Sequence, residues 1–190
     1  MSVALSKGGN ISLTKESRGL STIHVNVGWE VKSRDGSAFL VQIACFLLGQ
    51  DGRIQEDTDW IFFDHPECMD GAVSYGKKRE RDLRDKESIT MCFAQIPQRI
   101  HHLSVTANIY EARERKQTFG DVRAVFVRVL NADTNEEIVR YELEEDPSSL
   151  CTALILAEIY RKDNEWKFKA VGQGFKDGLK PLVESFGLFV

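Results

Sequence analysis

Hydrophobic positions recur along most of the chain with the two-residue period of β-strands. The first clear example is Thr22–Gly28. There Ile23, Val25 and Val27 alternate with polar side chains, which is typical of a strand with one buried face. The same reasoning predicts seven strands before position 150: Thr22–Gly28, Ala38–Leu48, Trp60–Phe63, Ile89–Phe93, Leu103–Ile109, Val122–Leu130 and Glu137–Leu143. Many short strands at regular spacing predict an all-β fold, a β-sandwich of two mainly antiparallel sheets.

One predicted strand has a different pattern. Ala38–Leu48 is almost continuously apolar, which favours a strand that is covered on both faces. Gln50-Asp51-Gly52 follows it and is typical of a turn, because Gly52 can take a positive φ.

Two interpretations compete after position 150. Ser148 and Ser149 could cap a helix at Leu150–Arg161. However, Trp166, Phe168 and Ala170 alternate with lysines, and a strand there needs a neighbour. We therefore favour a hairpin, with its turn at residues 162–164.

Helices are expected to be few. Glu111–Thr118, bounded by Gly120, is the best short helix, so we expect one or two short helices in all. The chain has no internal repeat and no low-complexity linker. We therefore predict a single domain over residues 1–190.

Composition excludes some functions without suggesting one. Hydrophobic residues make up 42% and charged residues 28%, and the net charge is −4, which gives no overall attraction to nucleic acid or anionic membranes. The four cysteines have no metal-binding spacing and are expected to be reduced. We find neither a signal peptide nor a transmembrane segment. The chain is therefore predicted to be cytoplasmic.

The residues usually found in enzymes are not arranged for catalysis. His24, His65, His101 and His102 lie near no nucleophile elbow and have no HExxH spacing, so structural roles are favoured. Gly8-Gly9 and Gly172–Gly174 lack the phosphate-binding patterns, and we interpret them as turns or close backbone approaches. Cys68 is the thiol to consider, with His65 nearby. We predict no catalytic residue, no cofactor and no enzymatic activity.

Acidic residues raise the question of calcium, which prefers six to eight oxygen ligands. Two groups are candidates: Asp57, Asp59, Asp64 and Asp70, and then Asp82, Asp85 and Glu87. Cations are interleaved with the second group, at Lys77, Lys78, Arg79, Arg81, Arg84 and Lys86. Because these cations can pair with the same carboxylates, surface salt bridges are favoured over a metal site.

The basic loop 77–86 could also bind an anion or nucleic acid. Only Tyr75 is available nearby for base stacking, so specific nucleic-acid binding is not predicted. A solvated loop is the simpler interpretation.

Six motifs, in order along the chain, resemble one known family. They are Leu5-Ser6-Lys7-Gly8-Gly9-Asn10 with Ser12-Leu13, Val27-Gly28-Trp29 with Glu30, Asp57–Asp64, Phe119-Gly120-Asp121-Val122 with Phe126-Val127-Arg128, Arg140-Tyr141-Glu142-Leu143, and Ile159-Tyr160-Arg161 with Glu165-Trp166-Lys167-Phe168 and Ala170–Phe175. In these motifs the chain resembles the TerD family of tellurite-resistance and stress proteins. The resemblance implies a β-sandwich with calcium-binding acidic loops and no settled enzymatic activity. It also implies partners among other Ter-family proteins, in assemblies near the inner membrane.

Important positions depart from the family pattern. Where the family has FDLDAS, this chain has Leu40 and Gln42 in place of the two aspartates. The later acidic loop, which corresponds to Gly76-Lys77-Lys78 and onward to Asp85-Lys86-Glu87, keeps only part of its acids. Replacing a carboxylate with leucine removes a ligand and its charge together. We therefore predict that high-affinity calcium binding is lost and that no metal site remains, with Asp82, Asp85, Glu87 and Glu30 holding a weak Ca²⁺ ion at most.

Three functions follow. The first is a non-catalytic stress protein of the TerD type that assembles with related proteins. The second is a calcium-binding stress module with a site rebuilt from Asp57, Asp59, Asp64 and Asp70. The third is an anion or nucleic-acid binder that uses the basic loop 77–86.

Overall fold

A computed structural model describes residues 2–31, 39–77, 84–146 and 149–189. Within these residues the chain forms strands β1 Val3–Leu5, β2 Asn10–Ser12, β3 Thr22–Val31, β4 Val41–Leu48, β5 Trp60–Ile61, β6 Glu67–Cys68, β7 Val73–Lys77, β8 Asp85–Cys92, β9 His102–Ile109, β10 Val122–Asn131, β11 Glu137–Glu142, β12 Ala153–Lys162 and β13 Glu165–Phe175. The helices are α1 Leu13–Glu16, α2 Ala112–Arg115 and α3 Leu179–Ser185, and short 3₁₀ turns occupy Phe93–Gln95 and Phe119–Asp121.

The strands form two sheets that enclose the main core. Sheet A has the order β1-β11-β10-β3-β8-β7-β6, and sheet B has the order β2-β13-β12-β9-β4-β5. Neighbouring strands are antiparallel except for the parallel pair β1–β11. Ile23, Val25 and Val27 of β3 lie in the core with Ile43 and Cys45 of β4. The predicted β-sandwich is confirmed.

Strand β4 is covered on both faces, as its apolar run predicted. Ile43, Cys45 and Leu47 face the core between the sheets. The alternate residues Ala44, Phe46 and Leu48 belong to a second hydrophobic cluster on the outer face of sheet B. Helix α3 covers this cluster with the buried side chains of Leu182 and Val183, and Phe186 adds its ring just after the helix.

The hairpin predicted after position 150 is confirmed. Strands β12 and β13 pair over most of their length. The turn contains Asp163 and Asn164 with φ values of 54° and 58°, which suits the two-residue loop of a twisted hairpin. Ser148, the alternative helix cap, lies outside the described residues, as does Ala38, the first residue of another predicted strand.

Helices differ from the expectation in number and length. The predicted helix Glu111–Thr118 is reduced to Ala112–Arg115, because Glu111 and Lys116 at its two ends adopt left-handed conformations with φ of 51° and 54°. Helices α1 and α3 were not predicted. Each has at most seven residues, too few to show a helical hydrophobic period.

The N-terminal segment joins the two sheets along one side of the sandwich. Strand β1 pairs with β11 in sheet A, and β2 pairs with β13 in sheet B. Between them, the Gly8 amide donates to the Ala170 carbonyl at 2.8 Å, and the Ala170 amide donates to the Gly9 carbonyl at 2.9 Å.

The interpretation of both glycine motifs is confirmed. Gly8 has a φ of +84° and forms a turn, and Gly172 has a φ of +63° and lies so close to Tyr141 that a Cβ would be 2.4 Å from its hydroxyl. A Cβ on Gly174 would be 2.4 Å from the Cys151 Sγ atom.

Candidate functional site at one end of the sandwich

The positions of the calcium motifs are distributed over both sheets. The end of β3, the end of β7 and the start of β8 meet at one end of sheet A, because these strands are antiparallel neighbours. Glu30, Asp85 and Glu87 lie there. Leu40 precedes β4 in sheet B, and Gln42 lies within it.

Asp85 is fully engaged by hydrogen-bond donors from neighbouring strands. Its side chain is buried, and its carboxylate accepts from Arg128 Nε at 3.0 Å and from Asn26 Nδ2 at 2.6 Å. Arg128 also donates to Glu137 at 3.2 Å, and Ser88 donates to Asn26 at 2.8 Å. The Asp85 carboxylate therefore already has a cationic partner within the protein, from β10.

The other motif positions are also occupied or unsuited to a hard cation. The Tyr75 hydroxyl hydrogen-bonds to Glu87, and burial together with this carboxylate raises the pKa of Tyr75. Gln42 accepts from Asn108 Nδ2 at 3.2 Å. Leu40 is partly exposed and offers no side-chain oxygen. Glu30 is exposed at the end of β3.

Alternation places these positions on different surfaces. Gln42 shares the outer face of sheet B with Ala44 and Phe46, whereas Glu30 lies with Phe126 in a cleft on sheet A. In the part of the chain that the structure describes, no group of three or more His, Cys, Asp or Glu side chains is placed to hold a metal ion. Asp82, Lys78, Arg79 and Arg81 lie outside the described residues.

The acidic group of Asp57, Asp59, Asp64 and Asp70 does not converge either. Asp59 is buried and forms a bidentate pair with Arg99, with one hydrogen bond from Nη2 at 2.8 Å, and it also accepts from the Glu56 amide at 3.0 Å. Asp57, Asp64 and Asp70 are exposed. The sequence favoured surface salt bridges with the neighbouring cations of the basic loop. Instead, Asp59 and Asp85 are buried and are paired with Arg99 and Arg128, which lie 40 and 43 positions away.

Cys68, His24 and His102, which were considered for catalysis, are buried or hydrogen-bonded to neighbouring side chains. Cys68 is buried. Burial, and to a smaller extent the negative charge of nearby Asp59, raises the pKa of this thiol to about 12. Little of this thiol is thus a nucleophilic thiolate at neutral pH. His24 is hydrogen-bonded to Thr90 at 2.9 Å on the outer face of sheet A, and His102 contacts Glu158. All four cysteines are free thiols.

A cleft of about 260 Å³ opens on the outer face of sheet A, where the motif positions of that sheet lie. We call it the sheet A cleft. It is lined by Trp29, Glu30, Arg84, Lys86, Ala124, Phe126, Arg140 and Glu142. Two irregularities shape this part of the sheet. The register of β10 against β3 shifts between Arg123 and Phe126, and the register of β3 against β8 shifts between Val27 and Gly28.

On the floor of the sheet A cleft, the Phe126 ring lies between the backbone of Gly28 and the guanidinium of Arg140. Phe126 lies opposite Gly28, and a Cβ at position 28 would be 2.3 Å from the ring. The guanidinium of Arg140 covers the other side of the ring, 4.0 Å from its centroid. Glu142 accepts from Arg140 Nε at 2.8 Å. Both sides of the Phe126 ring are therefore in contact with protein groups.

The sequence named most residues of this surface but did not show that they meet there. Asn26 carried no motif signal, and Phe126, Arg128 and Arg140 were noted only as parts of family motifs. The available signal was their position: each alternates with core residues on its strand and therefore faces outward. Which outward residues meet depends on strand order, which alternation does not specify.

A sandwich with these motifs in this order defines the TerD class of proteins. The TerD domain matches residues 1–186, and the chain belongs to the TerD family. Tellurium resistance protein TerD from Serratia marcescens is 38% identical over 190 residues, which cover 99% of this chain and 98% of the relative. General stress protein 16U from Bacillus subtilis (strain 168) is 36% identical over 193 residues, covering both chains completely.

Solved structures support the fold. A homologue of the telluride resistance protein TerD from Streptomyces coelicolor A3(2) superposes with a TM-score of 0.62 at 20% identity, covering 90% of this chain and 100% of that one.

Among the helices of the described ranges, none is long and apolar enough to span a bilayer.

Proposed function

We propose that this chain is a tellurite-resistance and stress-response protein of the TerD type, which acts without catalysis by assembling with related proteins. Support comes from full-length similarity to relatives named for tellurium resistance and general stress. The direct test is deletion of the gene in its host, followed by growth on tellurite and under other stresses. Deletion should sensitise the host, and the intact gene should restore resistance; unchanged growth under every stress would reject the proposal.

We further propose that high-affinity calcium binding at the family's motif positions has been lost. The observation that carries this is the buried Asp85 carboxylate, which is paired with Arg128 and Asn26. To coordinate calcium, Asp85 would have to leave Arg128, and stripping a partner from a buried charge costs about 3–5 kcal/mol. Leu40 and Gln42 remove two further carboxylates that the family motif would supply.

Calorimetric titration and thermal unfolding with and without calcium test this proposal. A ligand at 100 times its Kd stabilises the native state by about 2.7 kcal/mol, so a retained site would raise Tm clearly. We expect no stoichiometric heat and no rise in Tm. Stoichiometric binding at about micromolar Kd would reject the loss of calcium binding and leave the stress function untouched.

Assembly is proposed to use the outer edge of β13. Strand β2 pairs only with Lys167–Lys169, and Gly8 and Gly9 pair with Ala170. In the described part of the chain no strand covers the same edge over residues 171–175. A partner strand adding there would gain main-chain hydrogen bonds. By contrast, β1, β2, β5 and β6 at the sheet edges have only two or three residues each, too short for extensive pairing.

A matched pair of variants tests the assembly edge. Gln173 is exposed on β13. Gln95 is also exposed, but it lies in the 3₁₀ turn Phe93–Gln95, which is not part of this strand. Because a lysine on an edge opposes strand addition, Gln173→Lys should reduce co-purification of Ter-family proteins from the host, whereas Gln95→Lys should not. Equal recovery with both variants would exclude this edge, and failure of the wild type to recover any Ter-family partner would reject assembly itself.

Peripheral association with inner-membrane complexes is an additional proposal that rests on the family resemblance. Fractionation of host cells tests it, with the chain expected in the membrane fraction and released from it by high salt. Its absence from that fraction would contradict the proposal.

A further inference from the structure

We propose that the sheet A cleft binds a small phosphate-type oxyanion, with Lys86 and Arg84 on one wall and Arg140 on the other. This binding site goes beyond the proposed stress function and does not depend on it. It is carried by the charge, the backbone shape and the size of the cleft.

The lining charges favour an anion. Three cationic side chains, Arg84, Lys86 and Arg140, line the cleft with two acids, Glu30 and Glu142. Lys86 is exposed, and no described residue forms an ion pair with it. Its ammonium can therefore meet an incoming anion without first leaving a partner in the described part of the chain.

Arg140 provides a pre-positioned second donor. Its guanidinium lies over Phe126, its Nε donates to Glu142 at 2.8 Å, and its Nη1 lies 3.9 Å from a Glu137 carboxylate oxygen. These contacts fix the orientation of the side chain, so little conformational freedom is lost when its remaining N–H groups bind. A guanidinium presents parallel donors that match the oxygens of phosphate.

The backbone beside the cleft is strained at Ala124. Ala124 has a φ of 47°, which is unfavourable for a residue other than glycine, and it lies in the register shift of β10. Bulges often redirect side chains beside functional sites, and strained backbone concentrates at such sites. Here the irregularity borders the sheet A cleft, which Ala124 helps to line.

The volume of the cleft and the two carboxylates that line it limit the choice of ligand. About 260 Å³ is somewhat smaller than the 300 Å³ or more that is usual for drug-sized ligands. A cation is disfavoured because Arg140 already occupies the exposed side of the Phe126 ring. The carboxylates of Glu30 and Glu142 oppose a long polyanion, so nucleic acid is a poorer fit than a compact oxyanion.

The anion could be free or could belong to an organic ester, and two probes separate these sources. Inorganic phosphate tests the free ion, and phenyl phosphate adds an apolar ring that can contact Trp29. Binding is followed in the full chain at low salt by calorimetry and by amide chemical shifts of β8 and β11. Similar Kd values indicate a free oxyanion, whereas tighter binding of phenyl phosphate indicates an ester; either outcome supports the site.

Lys86→Gln tests the location, with Lys169→Gln as its control. Both lysines are exposed on strands, and the two variants change net charge equally, but Lys169 is on sheet B. Lys86→Gln should weaken binding of either probe about tenfold or more, as expected for loss of a charge-assisted contact, while Lys169→Gln should leave Kd unchanged. The proposal is overturned if wild type shows no binding at about 10 mM probe, or if both variants weaken binding equally.

Discussion

Gly28 illustrates how one residue without a side chain organises the outer face of sheet A. A Cβ at this position would lie 2.3 Å from both the Phe126 ring and the Arg84 carbonyl oxygen. Because the glycine leaves this space open, Phe126 can lie across β3, and Arg140 can then stack on Phe126 from β11. Three strands are thereby linked by one column of contacts.

Gly28→Ala should therefore destabilise the protein through overpacking, by about 1–3 kcal/mol. The matched control is Gly76→Ala, also in a strand of sheet A, where the one contact of a Cβ with the described residues would be the Ser88 carbonyl oxygen at 3.7 Å. That variant should stay within about 0.5 kcal/mol of wild type. Urea unfolding measures both. Equal stability of the two variants would show that Phe126 moves aside at no cost.

Cys68 provides a pH-dependent prediction at the same scale. Burial raises its pKa to about 12 in the native state, whereas an unfolded thiol titrates near 8.5. Since the folded state keeps its proton longer, the stabilisation is complete below the unfolded pKa and is lost progressively as pH rises from there towards 12.

Between pH 8 and pH 10, the free energy of unfolding should fall more steeply in wild type than in Cys68→Ala. The alanine variant will be less stable at every pH because it leaves a cavity, so the slopes are compared and not the absolute values. Burial also raises the pKa of Cys45, which leaves some slope in the variant. Parallel curves for the two proteins would contradict the high pKa of Cys68.

At the scale of elements, β4 and α3 form a unit that was only half predictable. The apolar run of β4 indicated that both of its faces are covered, and Phe46 does pack against Phe186 after α3, with ring centroids 5.1 Å apart. The identity of the cover was not predictable, because α3 has only seven residues and its apolar face is defined by its contacts with the outer face of sheet B, where it meets β12 and β13.

Leu182→Ala tests how much α3 contributes. Leu182 is completely buried against the outer face of sheet B, so its truncation should cost about 2–5 kcal/mol. The control is Lys180→Ala in the same helix, where the loss concerns an exposed pair with Glu184 at 3.7 Å worth less than about 1 kcal/mol. Thermal unfolding measures both. If Leu182→Ala costs no more than the control, α3 does not hold this cluster together.

Alternation predicted most long strands but few of the short elements, and the reason is physical. Strand β3 carries its own signal, because every second side chain enters the core. The two- and three-residue strands β1, β2, β5 and β6 are defined by their neighbours instead. The contacts of the site were likewise not predictable from the local sequence. Asp85 was recognisable as an acid, but its partner Arg128 lies 43 positions away and is brought close only by the order β10-β3-β8.

At the scale of the whole molecule, the two terminal motifs of the family meet. The Lys7-Gly8-Gly9 turn hydrogen-bonds to Ala170 within the closing motif, and β1 and β2 on either side of it attach to different sheets. The first twelve residues therefore connect sheet A to sheet B along one side. This explains why motifs so distant in sequence belong to one structural feature.

Two N-terminal truncations separate these attachments. Removing residues 1–5 deletes only β1, so amide exchange should become faster at Val139–Tyr141 of β11 while Lys167–Lys169 of β13 remain protected. Removing residues 1–12 deletes both strands and should expose both edges, with a larger fall in Tm. Because the two strands are joined by a turn that is anchored at Ala170, the shorter truncation leaves β2 its own attachment to sheet B. Loss of protection on both sheets after the shorter truncation would mean instead that the sheets are stabilised jointly and that β1 is needed for the whole sandwich.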